Sequence, residues 1–250
     1  MNKAVVCIAV TALSGVALHA ATLSSGSATL NYSAPDVQAL GAALGPAPVL
    51  TLSAYFDQAQ SAARTAAQIG SDAMPGSSYT GQVYGMNGSS VVNLEGRTSQ
   101  PTTFSYEVGN LTGHTGSIGL GGVARFDVFG GVGGSLLIGD LTLQYDVNRT
   151  LVGGSGWYLK GNIAPAAALF DLTNVSLTES AEGFTLSGDL GVTFEVANFL
   201  LTTPADTLRN VGNFTFTGVV TVPEPSTVAL MSMAVLLPLA RRAFTSRNRP

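Results

Sequence analysis

From Tyr79 to Val222, short runs of Val, Leu, Phe, Tyr and Thr alternate with polar residues, and Gly, Asn or Pro separates the runs. A period of two marks strands with one buried face. In LTLQYDV, Leu141, Leu143, Tyr145 and Val147 fall on one face, and Thr142, Gln144 and Asp146 on the other. The stretch from Leu169 to Leu201 reads as strand, a turn at Ala181-Glu182-Gly183, then strand again. GNFTFTGVVTV, from Gly212 to Val222, reads as a last strand.

Upstream, residues 21–78 read as an N-terminal segment with short helices. Ser33 can cap a turn carrying Pro35 and Asp36 near its start and ending near Gly45-Pro46. Ala54 to Ile69 is the better helix candidate, rich in alanine and glutamine, free of Gly and Pro, and followed by Gly70. The expected fold is therefore mainly β: an antiparallel β-sandwich or jelly-roll-like domain over residues 79–222, preceded by a short helical segment. An internal echo supports strands of like design. GDLTLQYDV (Gly139 to Val147) aligns without gaps onto GDLGVTFEV (Gly188 to Val196), with a fainter copy in FSYEV (Phe104 to Val108). The spacing is not constant, so this is not a solenoid repeat.

The two ends differ from this body. Met1-Asn2-Lys3 gives a short positive start, Ala4 to Ala17 carries no charge, and small residues follow in Leu18-His19-Ala20-Ala21. That order is that of a secretory signal peptide, residues 1–20, cut after Ala20 or Ala21. At the other end, Pro223 and Pro225 flank Glu224, an apolar segment runs from about Thr227 to Ala240, and Arg241, Arg242, Arg247 and Arg249 follow. The last ten residues thus hold four of the chain's eleven Lys and Arg. As a helix the apolar segment covers about 21 Å, short of a hydrocarbon core of about 30 Å, and snorkelling arginines ease the mismatch. Arginines after the segment stay in the cytoplasm and leave the body outside. The prolines hold the chain extended before the membrane.

Residues 223–250 closely resemble the PEP-CTERM sorting signal of Gram-negative bacteria. The matching residues are Pro223-Glu224-Pro225, the apolar segment through Ala240, and Arg241-Arg242. The departures are the short segment and Pro238 within it. The resemblance implies a sorting motif at Pro223, Glu224 and Pro225 and a membrane stop at Arg241 and Arg242. It also implies transient anchoring by a C-terminal transmembrane sorting helix, removal of the tail by an exosortase, and delivery to the cell surface or extracellular matrix, often beside exopolysaccharide. It supplies no catalytic residue. The alternative is an ordinary single-pass anchor.

Composition narrows the partners of the body. Only 10% of residues are charged, against about 25% in typical domains. Basic residues of the body, Arg64, Arg97, Arg125, Arg149, Lys160 and Arg209, form no cluster in the sequence, which argues against nucleic acid. The single cysteine, Cys7, sits in the signal, so the remainder has neither disulfide nor thiol nucleophile.

No catalytic constellation, metal site or cofactor motif emerges from the residues. His114 stands alone in a glycine-rich loop, TGHTGSIGLGG, which makes a poor metal ligand or triad base. GGVARFDVFGGVGGS lacks the order of a phosphate-binding loop, and turns or tight sheet packing account for its glycines. Glu107, Asp146 and Glu195 occupy one position of the three echoed strands. If they shared a face they could serve glycosidic chemistry or bind calcium. The simpler reading is outward polar positions. Trp157 reads as core rather than as a sugar platform, because only one of Trp157 and Tyr158 can face outward on a strand. Six Asn-x-Ser/Thr triplets, at Asn31, Asn87, Asn110, Asn148, Asn174 and Asn213, carry little weight in so Ser- and Thr-rich a chain. The sequence thus favours a non-enzymatic surface or matrix protein, associated with exopolysaccharide. The alternative is a secreted carbohydrate hydrolase or calcium-dependent lectin using the echoed acids.

Overall fold

The computed structural model describes residues 20–42, 49–73, 78–89, 93–129, 134–164, 166–180, 182–200 and 206–221. The expected signal peptide, apart from its last residue Ala20, and the expected sorting motif, apolar segment and terminal arginines lie outside them. Among the described residues no helix is long and apolar enough to cross a membrane.

The body is a closed antiparallel barrel of eight strands. In barrel order these are β1 (Ala20–Tyr32), β13 (Asn210–Thr221), β12 (Gly183–Val192), β11 (Ala167–Ser180), β10 (Trp157–Gly161), β9 (Ser135–Tyr145), β8 (Ile118–Phe129) and β3 (Gln82–Met86). Closure comes from β1, which pairs with β13 from Thr22↔Thr221 to Tyr32↔Gly212 and with β3 from Ser27↔Gly85 to Leu30↔Gln82. A sandwich was the expectation; pairing of the first strand with the last turns the sheet into a barrel and removes its free edges. Outside the ring, β2 (Val49–Asp57) adds to β8, and the hairpin of β6 (Ser105–Glu107) and β7 (Asn110–Thr115) adds to the first residues of β1. A two-residue pair, β4 (Asn93–Leu94) and β5 (Arg97–Thr98), stands apart.

Residues 21–78 therefore supply more than a helical lead-in. They contribute β1 and β2, together with three short helices: α1 (Ala34–Gly41), α2 (Gln58–Ser61) and α3 (Ala66–Ser71). The single helix expected over Ala54 to Ile69 is not formed. Leu50, Leu52, Ala54 and Phe56 are all buried at a spacing of two, so the strand runs on to Asp57. Asp57 and Thr65 then cap α2 and α3 through reciprocal bonds with Gln60 and Gln68. Alanine and glutamine propensity is overridden by pairing with β8.

The echoed segments also end earlier than expected. β9 stops at Tyr145, and Asp146 caps a 3-10 turn over Val147–Val152. β12 stops at Val192, and Thr193 caps α4 (Phe194–Phe199). The echo is thus a strand followed by a helical turn. The turn joining β11 to β12 falls where the sequence places it, with Ser180 paired to Gly183.

Two apolar clusters hold the body. The larger is centred in the barrel and includes Leu30, Tyr84, Phe126, Leu141, Leu172, Leu186, Phe214 and Phe216. The smaller lies on the outer wall under α2 and α3 and contains Ala54, Phe56, Ile69, Val123 and Ile163. Glycine shapes the wall between them. Gly122 has φ +136° at an irregularity between Leu120 and Val123, and a Cβ on Gly139 would stand 2.4 Å from the Gly122 carbonyl oxygen.

Candidate ligand cavity and charged clusters

The two ends of the barrel are finished differently. β1 begins and β13 ends at one rim, where the β6–β7 hairpin pairs with Ala20 to Thr22. Rings fill that end. Phe104 lies 5.5 Å from Phe184 and 6.2 Å from Trp157, Tyr106 packs edge-on to Phe184, and Phe184 in turn touches Phe216. His114 stacks on Trp157 at 4.7 Å and on Phe104 at 5.1 Å. His114 is therefore a residue of β7 within an aromatic stack, and the turn that follows is at Gly116-Ser117. Trp157 is buried in the same stack, as its core reading requires.

At the opposite end the described residues surround a cavity. Tyr32 at the end of β1, Val211 at the start of β13, Leu136 at the start of β9 and Ala167 at the start of β11 border this cavity of about 500 Å³, which extends over the rim to Ala66, Leu137 and Ile163 of the outer cluster. α1 closes one side with Val37 and Leu40, and α4 another with Val196 and Phe199. Three of the described lining residues carry polar side chains: Tyr32, Ser135 and Glu195. Ser135 donates its hydroxyl to Asp127 at 3.0 Å, and Glu195 accepts from Arg149 at 2.8 Å. Tyr32 is buried, with its ring edge-on to Phe126 at 5.2 Å. The hydroxyls of Tyr32 and Tyr84 influence each other, yet neither has a well-formed hydrogen bond. Burial pushes both hydroxyls well above the usual tyrosine value.

The echoed acids do not converge. Glu107 sits at the filled end of the barrel, paired with Ala20 and Asn110. Asp146 accepts from the backbone and side chain of Asn148, both at 2.9 Å, and serves as a cap. Glu195 opens α4 and meets Arg149. Among the described residues no three His, Cys, Asp or Glu side chains gather as a metal site. The shared-face arrangement that hydrolysis or calcium binding would need is therefore absent for this trio.

Three ion pairs, in two clusters, are not legible in the sequence. Arg149 joins Asp171 at 2.7 Å as well as Glu195, and its guanidinium lies 4.2 Å over the Tyr158 ring. Burial opposes its charge, but the two carboxylates outweigh this and hold its pKa above the usual value. Burial pushes the Asp171 carboxyl up despite that partner. The third pair, Arg97 with Asp140, is buried beneath α2 and α3. No spacing rule links residues so far apart. The cavity left one trace, the run Leu136-Leu137-Ile138, which breaks the alternation because Leu137 packs on the outer cluster while its neighbours face the inner one.

Compared with known protein families, curated proteins and solved structures, the chain matches none of them.

Proposed function

We propose that this chain is an exported, non-enzymatic surface or matrix protein, a barrel carried out of the cell and then freed from its membrane anchor by an exosortase acting at Pro223-Glu224-Pro225. One observation carries the reading furthest. The described strands run from Ala20, the last residue of the expected signal, to Thr221, just before the expected sorting motif. The first and last of them pair with each other, so cutting near Ala20 and again beyond Thr221 would remove no barrel strand. Thr221, the last described residue, pairs with Thr22 at the rim where β1 begins. While anchored, the aromatic-filled end would face the membrane and the cavity would face away.

Exopolysaccharide is the partner this reading assigns to the outer faces, which carry Ser, Thr and Asn side chains with few charges. Such contacts would depend weakly on salt, since few ion pairs are present to be screened. The hydrolase and lectin alternative loses its support with the dispersal of Glu107, Asp146 and Glu195.

The test compares the wild type with a variant carrying Ala at 223, 224 and 225, in a host containing an exosortase. The wild type should leave the membrane in shortened form, and the variant should insert but stay behind with its tail. Equal release of both, or retention of both with the tail intact, would reduce Val222 to Pro250 to a plain anchor.

A further inference from the structure

We propose that the barrel cavity binds one small uncharged apolar molecule, a hydrocarbon chain or ring system with at most one neutral oxygen function. Its volume, about 500 Å³, lies in the range of pockets that enclose small ligands. An eight-stranded barrel is just wide enough either to be filled by its own side chains or to hold one such ligand. Here both solutions occur in one barrel: aromatic rings fill the end where β1 begins and β13 ends, and among the described residues the far end holds the cavity.

The lining chemistry sets the ligand class. None of its described residues is Lys or Arg. An acid entering the cavity would bury a carboxylate with no cation to meet it, at a steep cost in free energy. Glu195 stands at the border and adds to that cost; its own charge is met by Arg149, which reaches it from outside the lining. Ser135 is engaged with Asp127. What remains is aliphatic and aromatic surface, with the Tyr32 hydroxyl, which neighbours that of Tyr84, as the one neutral polar group. One neutral oxygen is the most polar group such a site can satisfy. A sugar, with a hydroxyl on nearly every carbon, would leave most of its groups unpaired here, so this site is separate from any polymer contact on the outer faces.

The border offers an entry route. Phe199, on α4, lines the cavity and is 62% exposed. Val49 and Phe129 are paired at the same end on β2 and β8, and both are exposed. Exposed apolar side chains around an apolar hollow are what a ligand leaving a lipid or polymer phase would meet first.

The probe is N-phenyl-1-naphthylamine, an uncharged apolar fluorophore, titrated into the full-length chain. The expected result is saturable enhancement with one site per chain, insensitive to salt up to about 0.5 M. 1-Dodecanol should displace the probe, and dodecanoate at mildly alkaline pH should do so at least about tenfold less well. Ala167→Trp from the strand side and Val196→Trp from the helix side each fill the hollow. Either should abolish the saturable phase while the circular dichroism spectrum stays native, and using two elements keeps the test open if one variant misfolds. Absence of a saturable phase, equal displacement by alcohol and carboxylate, or full binding in natively folded Trp variants would overturn the proposal. None of these outcomes depends on whether the tail is processed.

Discussion

Arg97 and Asp140 form a double-bonded ion pair on the outer wall of the barrel, Nε to Oδ2 and Nη2 to Oδ1, both at 2.8 Å, with each side chain only 2% exposed. The rest of the guanidinium donates to the carbonyls of Ser61 at 2.6 Å and Arg64 at 2.5 Å. Asn162 in turn donates to the Asp140 carbonyl and to Thr142. One cation thus ties β5 and the α2–α3 connection to β9. Removing one partner strands the other charge in the interior. Asp140→Ala should cost about 3–5 kcal/mol in urea unfolding, and adding Arg97→Met should recover only part of the loss, because the stranded cation is gone but the Ser61 and Arg64 carbonyls lose their donor. A loss below about 1 kcal/mol in the single variant would show that the pair is not shielded from water.

A second prediction concerns alkaline pH. The Tyr32 and Tyr84 hydroxyls are held above the ordinary tyrosine value of 10.0 by burial. A group whose pKa is raised by folding contributes stability that is complete below its unfolded value and is lost as pH rises through the folded one. Ultraviolet titration should show the Tyr32 and Tyr84 hydroxyls ionising only as the barrel unfolds, above the ordinary tyrosine range. Ionisation of all tyrosines in one step near the usual value, with native circular dichroism, would contradict the burial.

Closure supplies a third. A chain ended at Thr221 keeps every pair between β1 and β13, whereas one ended at Asn210 loses the strand that joins β1 to β12. The longer chain should unfold cooperatively. The shorter should lose cooperativity and expose the buried faces of Phe184 and Leu186, detected by dye binding. Cooperative unfolding of both would mean that the seam does not hold the barrel.

These experiments address features that differ in how far the sequence discloses them. Strand alternation is a local property, so β11, β12 and their turn were legible in the chain, as was the last strand up to Thr221. Closure is not local. A strand with one buried face has the same period in a sandwich and in a barrel, and the deciding contact joins Thr22 to Thr221. The helix expected over Ala54 to Ile69 fails for a related reason: Leu50, Leu52, Ala54 and Phe56 alternate, and non-local pairing with β8 overrides the local helix propensity. The acids of the echo were misplaced because similar residues can end a strand as well as continue it. Asp146 and Glu195 both lie in the helical turns that follow β9 and β12. The cavity depends on which end of the barrel the chain's own rings fill, and that is set by contacts such as Phe104 with Phe184, far apart in sequence.

The central claim is that a complete barrel is released by cuts on either side of it, and the intact mass of the external form tests this most directly. Protein recovered outside an exosortase-containing host should have a single main mass. Its N-terminus should lie at Ala21 or Thr22, and its C-terminus should lie beyond Thr221 and before the apolar segment at Thr227. A mass that retains Arg241 to Pro250, or one that ends inside β13, would contradict the account.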